Sequence, residues 1–208
     1  MSASVIYNVL RGRRGVRKYL AKAVPGTVLR RVLDAARWAP SAHNAQPWRF
    51  VLILNLKVKR RLAEAMAREW DRDLCENGVS MDKRENLVRA SVKTFVGAPV
   101  LIVACLTMED MDKYPDKRRQ EAEHLMGAQS VAVAIQNLLL AAYAEGLGTC
   151  WFCAPLFCQE TVKEILKLPK EFEPQALITV GYPAEKPKAP PRKPLKSIAR
   201  KNYWKGRR

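Results

Sequence analysis

Apolar residues along this chain recur at i, i+3, i+4 and i+7 in some stretches and gather into short continuous runs in others, which separates helices from strands. Val5 to Leu10 reads as a short helix ending at a basic run. Val24-Pro25-Gly26-Thr27 opens a clearer one, with Val28, Leu29, Val32, Leu33 and Ala36 on one face and Pro40 as its stop. Trp48-Arg49-Phe50-Val51-Leu52-Ile53-Leu54 reads as a buried strand. Two amphipathic helices follow, Lys57 to Trp70 and Asp82 to Phe95, and then a second strand, Pro99 to Leu106. Arg118 to Glu145 is one long helix closed by Gly146-Leu147-Gly148. Thr149 to Cys153 is a third strand, Thr161 to Leu168 a short helix before Pro169, and Ala176 to Tyr182 a fourth strand. Helices outnumber strands, and strands do not alternate with helices around phosphate-binding glycines. The pattern predicts an α+β fold, not a Rossmann fold.

From Pro183 the sequence PAEKPKAPPRKP is rich in proline and lysine, which favours extended polyproline geometry. The expected organisation is one domain over 1–183 and a basic arm over 184–208. With 208 residues, 48% hydrophobic and 27% charged, the chain is long enough to bury a core without staples.

The net charge is +17, and its position matters more than its size. Residues 1–37 carry nine basic and one acidic residue, and residues 184–208 carry ten and one. The middle of the chain is neutral, with 18 of each sign. Two such ends are solvated tails or converge on an anion, either nucleic acid or a phosphate-bearing cofactor. Five cysteines and no evident secretory leader give an expectation of reduced thiols in the cytoplasm. Residues 125–144 are uncharged and about long enough to span a bilayer. Gln129, Ser130, Gln136 and Asn137 interrupt them, so a helix buried in a core or subunit interface is expected, and no membrane.

Four segments are candidates for chemistry. Arg13-Arg14-Gly15-Val16-Arg17-Lys18 suits a phosphate, because guanidinium groups bind it bidentately and glycine lets backbone N–H groups approach. The same run also reads as a solvated turn or a nucleic-acid patch. Ala39-Pro40-Ser41-Ala42-His43-Asn44-Ala45-Gln46-Pro47-Trp48 offers neutral donors and acceptors to a heteroaromatic ring, or is a capping loop. The Cys150-x-x-Cys153 pair, with Cys158 beyond, raises zinc or redox chemistry. The four-ligand set is incomplete, however, and a strand would point the two thiols to opposite faces, so structural thiols are expected. Arg192 lies in a tail that is otherwise a linker or a proline-rich ligand. His124 on the long helix reads as an ordinary satisfied histidine. No Ser-His-Asp order, paired-carboxylate motif, Walker loop or metal motif stands out.

In order, RRGVRKY, ARWAPSAHNAQPWRFV, QNLLLAAYAEGLGTCW, VGYPAEKPK and RKPL resemble the nitroreductase family of flavoproteins over roughly residues 5–200. Within it, residues 114–186 resemble the reductase domain of the bifunctional enzyme that completes coenzyme F420 biosynthesis; its ligase half has no counterpart here. The resemblance implies a central, mainly antiparallel sheet flanked by helices and an intertwined homodimer with FMN at the interface. It implies that Arg13, Arg14, Gly15, Val16 and Arg17 hold the phosphate and part of the isoalloxazine ring, with Arg192 closing on the phosphate. Pro40, Ser41 and Asn44 would meet the ring from the partner subunit, and the turn Cys153-Ala154-Pro155 would run along it. Arg17 or Lys93 would face the charge that develops near N1 and O2. The family often has Ser at Gly15, and Gly or Ala at His43, whose imidazole would here enter the substrate pocket.

The expected activity is FMN-dependent hydride transfer from NAD(P)H to a nitro, quinone or activated C=C acceptor, a dehydro-F420-type precursor being the sharper version. No catalytic side chain is required, because the chemistry is the cofactor's. A non-catalytic flavin or F420 binder is the second class. A nucleic-acid binder is the third, and it lacks RRM, KH or zinc-finger signatures. The expected partners are a second copy and a small-molecule acceptor, without nucleic acid or membrane.

Overall fold

The computed structural model describes residues 3–204. Four strands, β1 (Trp48–Ile53), β2 (Val100–Leu106), β3 (Gly148–Phe152) and β4 (Glu173–Gly181), form one sheet in the order β1-β2-β4-β3. Every neighbouring pair is antiparallel. The helices are α1 (Ala3–Gly12), α2 (Gly26–Arg37), α3 (Leu56–Glu76), α4 (Met81–Gly97), α5 (Lys117–Ala144), α6 (Gln159–Leu166) and the single turn α7 (Leu195–Ile198).

All seven residues of β2 are buried because both faces of the sheet are covered. Side chains alternate across a strand. Val100, Ile102, Ala104 and Leu106 therefore pack with Leu29, Val32 and Ala36 of α2 and the apolar face of α5. Leu101, Val103 and Cys105 pack on the other side with Leu62 and Met66 of α3, Phe95 of α4 and Val162 of α6. The result is the α+β architecture expected from the sequence, with a small antiparallel sheet between two helical layers.

α5 is the central helix of one layer. Gly127, Ser130, Val131, Ala134, Ile135, Leu138, Leu139 and Ala142 form its buried face. Gly127 is needed there: a Cβ would lie 2.9 Å from the Leu106 side chain. The helix starts on Asp116, whose side chain accepts from the Arg119 amide, and is followed by Gly146 at φ +76, in the left-handed region that glycine adopts without strain. One face of its uncharged run is thus a packed core stripe, while Leu125, Val133 and Tyr143 of the same run are exposed.

Several boundaries differ from those read in the sequence. α3 runs six residues past Trp70, because Asp71 and Leu74 stay half-buried and keep the helical period. α6 stops at Leu166, since Lys167 takes φ 53 and turns the chain back. Beyond the proline-rich stretch expected to be extended, the arm contains the turn α7. Residues 1–2 and 205–208, which belong to the two predicted ranges, lie outside the described residues.

Candidate active site

The basic segment after α1 is laid along the free edge of β3. Gly15 forms a parallel bridge with Thr149, and the Val16 amide donates to the Thr149 carbonyl at 2.8 Å. The Val16 side chain is buried against Gly148, where a Cβ would lie 2.8 Å from it. Its carbonyl accepts from the Tyr19 hydroxyl, which also meets Thr179 Oγ1 at 2.6 Å. Val16 is therefore committed to the fold through its amide, carbonyl and side chain, and this fixes the positions of the arginines around it.

The chain that follows β4 closes over this segment. Tyr19 bridges Pro183, the Leu20 amide donates to the Tyr182 carbonyl, and the Ala184 amide to the Lys18 carbonyl. Glu185 Oε1 accepts from the amides of Arg17 at 2.7 Å and Lys18 at 3.1 Å. Charge-assisted bonds of this kind are roughly twice as strong as neutral ones. A cleft of about 300 Å³ results, walled by Gly12, Arg13, Arg14, Tyr143, the 146–149 turn and Glu185 to Pro187. Among these lining residues Glu185 is the one carboxylate, and its Oε1 is held by backbone N–H groups. The cations Arg13, Arg14 and Lys186 are left to set the sign of the cleft.

Arg17 and Arg13 flank Cys150, a buried thiol of β3. Burial raises its pKa, and the two guanidiniums act against that rise. Arg17 also lies 6.0 Å from the Phe152 ring centre, and Phe152 meets Phe95 of α4 edge to face at 5.0 Å. Lys93 stands exposed on the same helix, two residues earlier. Gly15 has room: a Cβ there would meet only Cys150 Sγ, at 3.6 Å.

Pro40, Ser41 and Asn44 do not line this cleft. They belong to a loop between α2 and β1 that is docked on α5 by the Ala42 amide, which donates to Ser130 Oγ at 3.2 Å. Ser41 holds the loop's shape, since its Oγ accepts from the Gln46 amide and its carbonyl from the Asn44 amide. His43, Asn44 and Gln46 have φ of 53, 54 and 48. Three left-handed residues without a glycine in so short a span are costly, and such strain concentrates at functional loops.

Cys153 is exposed at the end of β3, Ala154 half-buried and Pro155 buried, in a single 3₁₀ turn. Arg192 is exposed on the arm. Sequence reasoning did not pick out Glu185 or Tyr19, which lock the arm to the basic segment. Glu123 was also passed over, although it lies in phase with Gly127, Ser130 and Ala134 on the buried face of α5.

The sequence profile of the Nitroreductase family matches residues 10–182. A protein of Methanothermobacter thermautotrophicus, provisionally named NADH dehydrogenase/NAD(P)H nitroreductase, is 29% identical over 184 residues, covering 88% of this chain and 79% of its own. Among solved structures, a BluB-like flavoprotein from Clostridium difficile aligns with a TM-score of 0.77 at 25% identity, over 95% of this chain and 99% of its own. Iodotyrosine deiodinase bound to FMN and 3-iodo-L-tyrosine aligns at 0.75 and 26%, over 96% and 100%. With its antiparallel sheet, its edge-bound basic segment and a match running from α1 through β4, the chain belongs to the nitroreductase family.

Proposed function

We propose that the protein is an FMN-dependent oxidoreductase that takes hydride from NADH or NADPH and passes it to a nitro, quinone or activated C=C acceptor. The observation that carries this reading is the cationic cleft between residues 12–16 and residues 146–149, closed by the first residues of the arm. FMN, when bound, supplies the two-electron chemistry, accepting hydride from the nicotinamide and delivering it to the acceptor. Arg13 and Arg14 are the cations for its phosphate, with Gly15 allowing close approach and Val16 fixing the segment. Arg192 is the arm's contribution to the same anion. Arg17 and Lys93 would supply positive charge beside the ring, stabilising negative charge there electrostatically. Cys153-Ala154-Pro155 and the loop bearing Pro40, Ser41 and Asn44 are assigned to the ring.

A cleft of about 300 Å³ is at the lower end for a small-molecule site and is small for a whole flavin nucleotide. That mismatch supports a homodimer in which a second copy completes the site. Val5, Ile6, Tyr7 and Leu10 of α1, together with Leu125 and Val133 of α5, are exposed apolar surface that such an assembly would cover. In this reading residues 1–183 form a single FMN domain, the 184–208 arm leaves its own sheet edge after Pro187 to pack on the partner, and the protein acts in the cytoplasm without membrane or nucleic acid. The resemblance read in the sequence of residues 114–186 motivates a narrower acceptor, a dehydro-F420-type precursor.

Purification without added flavin, followed by a visible spectrum and acid release of any chromophore, tests the proposal. Bound FMN near one per chain, with steady oxidation of NAD(P)H in the presence of an acceptor, is expected. FMN without turnover would leave a non-catalytic flavin or F420 binder. A colourless protein that refuses FMN but binds oligonucleotides in a strongly salt-dependent way would favour nucleic acid. Failure to reduce a dehydro-F420 precursor would remove only the narrower acceptor.

A further inference from the structure

Glu123 is 0% exposed, near the start of α5. One of its oxygens, Oε1, accepts from the Asp112 amide at 3.2 Å. The other, Oε2, is buried and has no hydrogen-bond partner among the described residues. A carboxylate held out of water with one oxygen unanswered is strongly unfavourable unless a cation compensates it. Two further donor groups converge on the same place. His43 Nε2 lies 3.3 Å from Glu123 Oε1 and 3.7 Å from Asp112 Oδ2. One donor atom from each residue falls within 4.8 Å of the other two.

The three residues come from separate pieces of chain: the loop between α2 and β1, the segment after β2, and α5. His43 reaches the carboxylates from φ 53, in the left-handed region. The buried orphan oxygen, beside an imidazole and a second carboxylate, points to a group that the cluster is shaped to receive. Ion pairs of His43 with Asp112 and with Glu123 Oε1 still leave Glu123 Oε2 unanswered.

We propose that His43, Asp112 and Glu123 form a binding site for a divalent first-row transition cation. One imidazole nitrogen and two carboxylate oxygens are a borderline-to-hard ligand set, suited to Mn²⁺, Fe²⁺, Co²⁺ or Zn²⁺. Three protein ligands leave the remaining positions to water or to an anionic small molecule entering past the exposed His43 and Asp112. The bound ion ties the strained loop to α5 and so fixes the placement of Ser41 and Asn44. The site stands on its own geometry and does not depend on the flavin reading.

Manganese is the probe, because the chain's thiols compete for zinc and its carboxylates do not discriminate against Mn²⁺. The purified protein, with whatever flavin it retains, is titrated with Mn²⁺ at neutral pH while free ion is followed by its electron paramagnetic resonance signal. The expected result is one bound Mn²⁺ per chain, with affinity falling by about ten-fold or more in His43→Ala and in Asp112→Asn. Asp112 is exposed, so Asp112→Asn keeps the test valid even where Glu123→Gln unsettles the fold; a thermal melt confirms that each variant is folded. Wild-type protein that leaves Mn²⁺ free at millimolar concentration overturns the proposal in favour of a His43–Glu123 ion pair. Equal affinity in wild type and both variants overturns it in favour of binding elsewhere.

Discussion

Gly148 and Gly15 face the same strand-edge contact from opposite sides, yet the structure treats them differently. A Cβ at Gly148 would come within 2.8 Å of Val16 Cβ and Cγ1, inside a packed region that cannot give way cheaply. Gly148→Ala is expected to destabilise the protein by about 1–3 kcal/mol in chemical denaturation, as overpacking does. Gly15→Ser, whose Cβ meets only the Cys150 sulfur at ordinary distance, is expected to change stability by less than about 0.5 kcal/mol. An equal loss in both variants would contradict the account of Val16 as the wedge that seats the basic segment. Arg13→Ala and Arg192→Ala are expected to lower the FMN retained through purification, and full occupancy in both would remove the phosphate assignment. The arginine run and its glycine were legible because guanidinium clusters carry their chemistry in their composition. Glu185 was not, because its amide partner Arg17 lies 168 residues away and no local pattern announces the pairing. Glu123 gave only a phase signal: an acid on a helical stripe of small and apolar residues.

At the scale of elements, the long helix was the most legible feature, because residues 125–144 carry no charge and Gly146 marks where the helix has ended. The ends of α3 and α6 depended on tertiary cover and on a left-handed lysine, which periodicity does not encode. α7 was hidden by the prolines around it. The start of α5 also makes a pH prediction. The Asp116 carboxylate accepts first from the Arg119 amide and then from its guanidinium, and both hold its pKa below the ordinary carboxylate value. A carboxyl group whose pKa is lower in the folded state stabilises the fold above its unfolded value and loses that contribution as pH falls through the folded one. Thermal melts of wild type and Asp116→Asn should therefore differ near neutrality, with wild type the more stable, and converge below about pH 4. A difference that persists undiminished into acid would show that the charge is not what Asp116 contributes.

For the whole molecule, the two basic ends that composition alone left unassigned meet on one sheet edge. Lys18 and Ala184 join directly there, and Arg17 and Lys18 share Glu185. The five thiols are graded by the same architecture. Burial pushes Cys105 up to about 12 and Cys158 up to about 11, whereas Cys75 and Cys153 are exposed. Alkylation at about pH 8 requires thiolate and access, so mass mapping should find Cys75 and Cys153 modified first and Cys105 last. Saturation with FMN should slow Cys153 and leave Cys75 unchanged, because of these two thiols only Cys153 belongs to a segment assigned to the ring. Native-state labelling of Cys105 would contradict the burial, and an unprotected Cys153 the assignment.

The central claim is that this chain carries electrons from a nicotinamide to an acceptor through bound FMN. The direct test is to add NADH, and separately NADPH, to the FMN-loaded protein without oxygen and follow the visible flavin bands, then add a quinone or nitroaromatic. At least one nicotinamide is expected to bleach the bands, and the acceptor to restore them. Bands that stay unchanged with both nicotinamides, or bleach and are not restored by any acceptor, would contradict it.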